Sequence, residues 1–183
     1  MAALKLVGIS GSLRDGSTNT KLLHEAARLF GEAEFSLLDI RFPLYDGDEE
    51  EAHGVPEAVK AAARKLAEAD AVIISTPEYN KGPSGVLKNA LDWISRAEVK
   101  PWNGKPVAVM SAASGRAGGE RAQMVLRGFM VPFRPMILQG PEIHLADSRN
   151  QFDDEGHLKG ELYVKELTTL MENLRGLIGK FPT

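Results

Sequence analysis

Three segments combine residue types that can hold a ligand as well as turn the chain. The first reads Ser10-Gly11-Ser12-Leu13-Arg14-Asp15-Gly16-Ser17-Thr18-Asn19-Thr20 and joins an apolar run to a helical pattern. The start of a helix presents unpaired N–H groups and partial positive charge, so it attracts anions. Hydroxyls on Ser12, Ser17, Thr18 and Thr20 and a two-nitrogen grip from Arg14 suit an anion at that point. Charge-assisted hydrogen bonds contribute about 1.5–3 kcal/mol each, so a handful would hold a monophosphate firmly. The same residues also suit a plain capped turn, for which Ser, Asn and Gly are common.

Two other phosphate motifs fail here. Gly11 and Gly16 have the spacing of the glycines in an ATP-binding P-loop, but Ser17 stands where the lysine belongs. The dinucleotide fingerprint fails because Gly8, Gly11 and Gly16 are wrongly spaced. A terminal monophosphate is the anion that fits best.

The second segment, Thr76-Pro77-Glu78-Tyr79-Asn80-Lys81-Gly82-Pro83-Ser84, follows the most continuously apolar run of the chain. Tyr79 offers a face for stacking on a planar ligand, and Glu78 and Asn80 supply polar atoms for its edges. The alternative is a Pro-rich turn whose tyrosine packs on its own domain. The third segment, Ser111-Ala112-Ala113-Ser114-Gly115-Arg116-Ala117-Gly118-Gly119, is rich in small residues. Small side chains at Ala113, Ser114 and Gly115 let backbone amides approach a flat ring; alone, the segment also reads as a flexible linker.

The elements that must position these loops alternate in type. Leu4 to Ile9, Phe35 to Ile40, Ala71 to Ser75, Pro106 to Ala112 and Met136 to Gln139 read as strands. Helical spacing recurs around Leu22 to Phe30, from Val55 to Ala67 with Pro56 in its first turn, and across Gly85 to Ala97, Gly119 to Phe129 and Glu161 to Ile178. Five βα repeats imply a parallel sheet covered on both faces. Handedness favours a doubly wound topology, expected in the order 2-1-3-4-5. Ligands in such sheets bind beyond the carboxyl ends of the strands, where all three segments fall.

Composition narrows the function. A chain of 183 residues with 43% hydrophobic and 26% charged content is expected to form one domain over residues 1–183. Without cysteine there is no disulfide, thiolate metal site, iron–sulfur ligation or thiol nucleophile, in keeping with a reducing compartment. A formal charge of −3 gives no reason to expect nucleic acid or an anionic membrane as partner. The apolar runs are strand-sized and no targeting segment opens the chain, so a cytoplasmic protein is expected.

Taken together, the segments from Gly11 to Asn19 (GSLRDGSTN), Pro77 to Asn80 (PEYN) with Gly85 to Trp93 (GVLKNALDW), and Gly118 to Arg127 (GGERAQMVLR) resemble the NADPH-dependent FMN reductases, a family that includes bacterial quinone, chromate and azo reductases. The likeness runs through nearly the whole chain. It implies a flavodoxin-like fold and FMN as cofactor, the phosphate held by Ser12, Arg14, Ser17, Thr18, Asn19 and Thr20. The ring would lie against Pro77, Glu78, Tyr79 and Asn80 and near the backbone of Ala113, Ser114 and Gly115, where amide donors would stabilise charge developing on reduction. NADPH or NADH would be the reductant. A quinone or another small acceptor, such as chromate, an azo compound or free flavin, would be reduced in a ping-pong reaction. The Lys81-Gly82-Pro83-Ser84 stretch departs from the family pattern, with the proline one position earlier than is common, which bears on substrate preference. The resemblance also implies a homodimer or homotetramer.

The remaining features are read as structural. The flavin carries the hydride chemistry, so no catalytic side chain and no metal site is expected. His24, His53, His144 and His157 are scattered and are expected on the surface or in loops. The acidic run from Asp46 to Glu51 is expected as a solvated loop. A wide apolar stripe on the helix from Gly85, including Val86, Leu87, Leu91, Trp93 and Ile94, is expected to face another subunit in part. Arg116, Arg121 and Arg127 either meet a nicotinamide phosphate or sit on a solvated helix. The alternative functional class is an electron-carrier flavodoxin without nicotinamide turnover. Such carriers tend to be more acidic than this chain.

Overall fold

The computed structural model describes residues 3–180. Six strands form: β1 (Lys5–Ser10), β2 (Glu34–Leu37), β3 (Ala71–Thr76), β4 (Pro106–Ala112), β5 (Met136–Ile137) and β6 (Ile143–Leu145). The helices are α1 (Thr18–Phe30), α2 (Gly47–His53), α3 (Glu57–Glu68), α4 (Gly85–Arg96), α5 (Glu120–Met130) and α6 (Glu161–Leu177). The sheet is parallel, and its first five strands run in the expected order β2-β1-β3-β4-β5.

Alternation along the strands sorts side chains onto two faces. Val7 and Ile9 of β1, Val72 and Ile74 of β3, and Val107 and Val109 of β4 join one core with Leu66 of α3, Leu91 of α4 and Leu126 of α5. Leu6, Ile73 and Met110 point the other way, onto Leu22 and Leu23 of α1 and Leu170 and Leu174 of α6. All residues of β3 and β4 are buried, because helices cover both faces of these central strands.

Differences from the expected elements lie mostly at the sheet edges. The second strand was expected over Phe35 to Ile40, but its pairing with β1 ends at Leu37. Leu38 and Ile40 are buried beyond that point, so the apolar pattern reports burial that outlasts the ladder. The expected fifth strand, Met136 to Gln139, pairs only at Met136 and Ile137. The chain then leaves the edge and returns as β6, which pairs Met110, Ser111 and Ala112 of β4 with Ile143, His144 and Leu145. Three residues are too few to announce a strand by pattern, and His144 therefore lies in a strand rather than in a loop.

The acidic run is not a loop. Gly47–His53 forms the short helix α2, with no buried residue. The Asp46 carboxylate accepts from the Asp48 N–H at 2.9 Å, and Asp48, Glu49 and Glu50 occupy the first turn, where negative charge meets the positive helix end. Glu50 also receives bonds from Arg96 of α4 and the Tyr45 hydroxyl, each at 2.9 Å. The α4 stripe is likewise corrected: Leu87, Ala90, Leu91, Trp93 and Ile94 are all buried within the chain's own core. Among the described residues, no helix is long and apolar enough to cross a membrane.

Candidate functional site

The carboxyl ends of β1, β3 and β4 open into one cleft of about 500 Å³. Its floor begins with the turn after β1. Gly11 donates its N–H to the Ser75 carbonyl at 2.8 Å, keeping the chain against β3 after β1 has ended. A side chain there would crowd the second loop, since a Cβ would sit 3.0 Å from Thr76 Oγ1 and 3.1 Å from Ser84 Oγ. Only glycine lets the two loops approach so closely.

Ser17 caps α1 by accepting from the Thr20 N–H at 3.3 Å, and its own N–H is bonded to the Arg14 carbonyl. The Thr18 and Asn19 N–H groups have no backbone or side-chain acceptor among the described residues. Such groups, at the positive end of a 13-residue helix, are donors for an anion. Ser12, Arg14, Gly16, Ser17, Thr18 and Asn19 all line the cleft.

The side chain of Asn19 has a different task. It is buried, its Nδ2 donates to the Ala112 carbonyl at 2.9 Å, and its Oδ1 accepts from the Ala112 N–H at 3.0 Å and the Ser75 hydroxyl at 2.8 Å. One amide thus ties the start of α1 to the ends of β3 and β4. Thr20 is also turned inward, donating to Ser10 Oγ at 2.8 Å, and it borders a neighbouring cleft.

The second loop is a tight hairpin. Tyr79 and Gly82 exchange both backbone bonds, at 2.9 and 3.1 Å, while Asn80 and Lys81 between them take φ of 50° and 67°. Two positive φ values in a two-residue turn match the primed hairpin turn, in which Asn is favoured. Asn80 therefore has a backbone reason to be present, and it lies outside the cleft lining. Pro77, Glu78 and Tyr79 lie within it, and Tyr79 remains 52% exposed, an uncovered aromatic on the cleft wall. Glu78 Oε2 accepts from the N–H groups of Arg121 and Ala122 at 3.1 and 3.2 Å. Its carboxylate caps α5, whose N-cap residue, Gly119, has no side chain to do so.

The third loop brings Ala112, Ala113 and Ser114 to the cleft, and Gly115 stays outside it. Ala113 is stitched to the end of β6 and the turn after it, donating to the Leu145 carbonyl and accepting from the Ser148 N–H, both at 3.1 Å. At Gly118, with φ of 61°, a Cβ would collide with the His144 carbonyl. The same stitching adds Ser148 and Arg149 to the cleft, two residues that the sequence reading did not select. The signal for them was β6, whose brevity hid it. Of the other arginines, Arg127 donates to the Leu138 carbonyl at 2.8 Å, away from the cleft, and burial lowers its pKa.

A helix start with free donors, an aromatic wall and a small-residue loop thus meet at the carboxyl ends of a flavodoxin-like doubly wound sheet, where such sheets take ligands. The free donors, the hydroxyls and the Arg14 guanidinium fit a monophosphate, and the exposed face of Tyr79 fits a planar ring. The sequence profile of the NADPH-dependent FMN reductases matches residues 4–150, and the chain belongs to that family. It is 41% identical over 182 residues to an NAD(P)H-dependent FMN reductase of Pseudomonas aeruginosa, covering 96% of this chain and 98% of that protein. It is 38% identical over 174 residues to a quinone reductase of Escherichia coli, covering 87% and 92% of the two chains. The structure of FerB, a flavoenzyme NAD(P)H:(acceptor) oxidoreductase from Paracoccus denitrificans, superposes with a TM-score of 0.86 at 30% identity. That match covers 97% of this chain and 98% of FerB.

Proposed function

We propose that this protein is an FMN-dependent NAD(P)H oxidoreductase that reduces quinones or similar small acceptors. The observation that carries the reading is the unpaired start of α1, with Arg14 beside it, in the cleft of a chain belonging to the FMN reductase family. In this reading the Thr18 and Asn19 N–H groups, the hydroxyls of Ser12, Ser17 and Thr18, and Arg14 hold the FMN phosphate. Pro77 and Tyr79 line one side of the ring, and the Ala113 and Ser114 backbone approaches another. When bound, FMN supplies the hydride-accepting ring, so the chain needs no nucleophile or metal.

The chain's own contribution is rigidity. Glu78 fixes the second loop to α5 and the Asn19 amide fixes α1 to β4, so the walls on which the cofactor rests are held by buried or doubled hydrogen bonds. One cleft serves both substrates, so the nicotinamide, oxidised by giving its hydride to the flavin, must leave before the acceptor enters. The 183 residues act as one FMN-binding domain, in the cytoplasm, as a homodimer or homotetramer. Exposed Met124 and Val131, 71% and 70% accessible, supply apolar surface for association.

Steady-state kinetics with NADPH and a benzoquinone test the reading. Parallel double-reciprocal lines are expected. Intersecting lines, which require both substrates bound together, would contradict a shared cleft.

A further inference from the structure

Three charged residues line the cleft: Arg14, Glu78 and Arg149. Glu78 is occupied in capping α5. The two arginines have no acidic partner among the ion pairs of the described residues, and both are exposed. They come from loops far apart in sequence, yet they meet the same cavity. A phosphate monoester carries close to two negative charges near neutral pH, its second pKa being about 6. One guanidinium leaves that charge half balanced.

The segment bearing Arg149 is built to hold a position. Ser148 is 2% exposed, and its hydroxyl lies 3.0 Å from Thr18 Oγ1, on the first residue of α1. Its N–H donates to the Ala113 carbonyl. Asp147 takes the left-handed conformation with φ of 44°, unusual for a residue with a side chain, and Asn150 Nδ2 ties back to both of its carboxylate oxygens at 3.0 and 3.1 Å. A fastened turn of this kind next to the unpaired Thr18 N–H sets Arg149 at the phosphate end of the cleft.

We propose that Arg149 is a second phosphate-binding guanidinium, held by the Ser148–Thr18 contact, which clamps the cofactor monophosphate together with Arg14. The proposal rests on the FMN reading above. Its test compares FMN with riboflavin, which lacks only the phosphate, by quenching of flavin fluorescence on the flavin-freed full chain. Arg149→Ala should weaken FMN about tenfold, the worth of one charge-assisted bond, and leave riboflavin unchanged. Arg149→Lys should recover part of the loss, and the salt dependence of FMN binding should flatten in the alanine variant. Equal weakening of FMN and riboflavin, no change in FMN affinity, or an effect confined to the KM for NADPH would overturn the assignment. A wild-type chain that binds FMN no better than riboflavin would instead refute the phosphate site itself.

Discussion

The two ends of the sheet treat helix termini in opposite ways. At the amino end of the strands, helix C-termini are closed by cations. Lys105 reaches the carbonyls of Ala67 and Ala69 after α3, Lys100 those of Ser95 and Ala97 after α4, and Arg175 those of Phe30 and Glu32 after α1. At the carboxyl end, Ser84 caps α4 and Glu78 caps α5, while the start of α1 keeps free N–H groups beside an unpaired arginine. The starts of α3 and α6 also lack a side-chain cap, so what sets α1 apart is that its free N–H groups open into the cleft with Arg14. In the proposed reading, that combination marks the phosphate site without reference to any motif. It also implies that changes at the closed end should alter stability alone, and that changes at the open end should alter ligand affinity first.

Asn19→Ala should have the largest effect because it belongs to both categories. It strands the Ala112 N–H and carbonyl and the Ser75 hydroxyl in a buried place, so a loss of about 3 kcal/mol is expected in denaturant unfolding, together with weaker FMN binding. Lys105→Met removes the closure of α3 and should cost about 1–2 kcal/mol. FMN affinity should be unchanged, and a change there would break the division between the ends. Arg14→Ala should do the reverse, weakening FMN about tenfold with little shift in the unfolding midpoint. Glu78→Ala removes the acceptor that caps α5 and should cost about 1 kcal/mol, with a fall in flavin affinity that exceeds any change in the KM for the acceptor.

The smallest effect is expected from Glu25, away from both ends. Burial alone would raise its pKa, but hydrogen bonds from Arg28 and the Leu158 N–H, with the attraction of Arg28, hold it below the ordinary value of 4.5. A carboxyl depressed in the folded state contributes stability above its unfolded pKa and loses it as pH falls through the folded value. The stability difference between wild type and Glu25→Gln should therefore be constant near neutrality and shrink below 4.5 in urea unfolding series.

Much of this was legible in the sequence because the strongest physical signals are local. β3 and β4 are buried on both faces and read as apolar runs with few polar interruptions, and the expected bounds of β4, Pro106 and Ala112, are those of the strand. The loop after β1 was legible as a polar turn opening a helix, and its Ser12, Arg14, Ser17, Thr18 and Asn19 line the cleft. What stayed hidden depends on long-range contact. Nothing near Asn19 in the chain shows that its amide binds Ala112, nor anything near Glu78 that it caps a helix starting at residue 120. Ser148 and Arg149 were missed because they ride on β6, whose three residues become a strand only by pairing with β4. The acidic run misled because like charges were weighed against each other and not against the helix end and Arg96 that they meet.

The most direct test of the central claim is the anaerobic absorbance spectrum of the purified protein with FMN, first with NADPH added and then a benzoquinone. Flavin bands that bleach with NADPH and return with the quinone are predicted. Bands that NADPH does not bleach would contradict the reductase reading, and a protein that does not bind FMN would contradict the site itself.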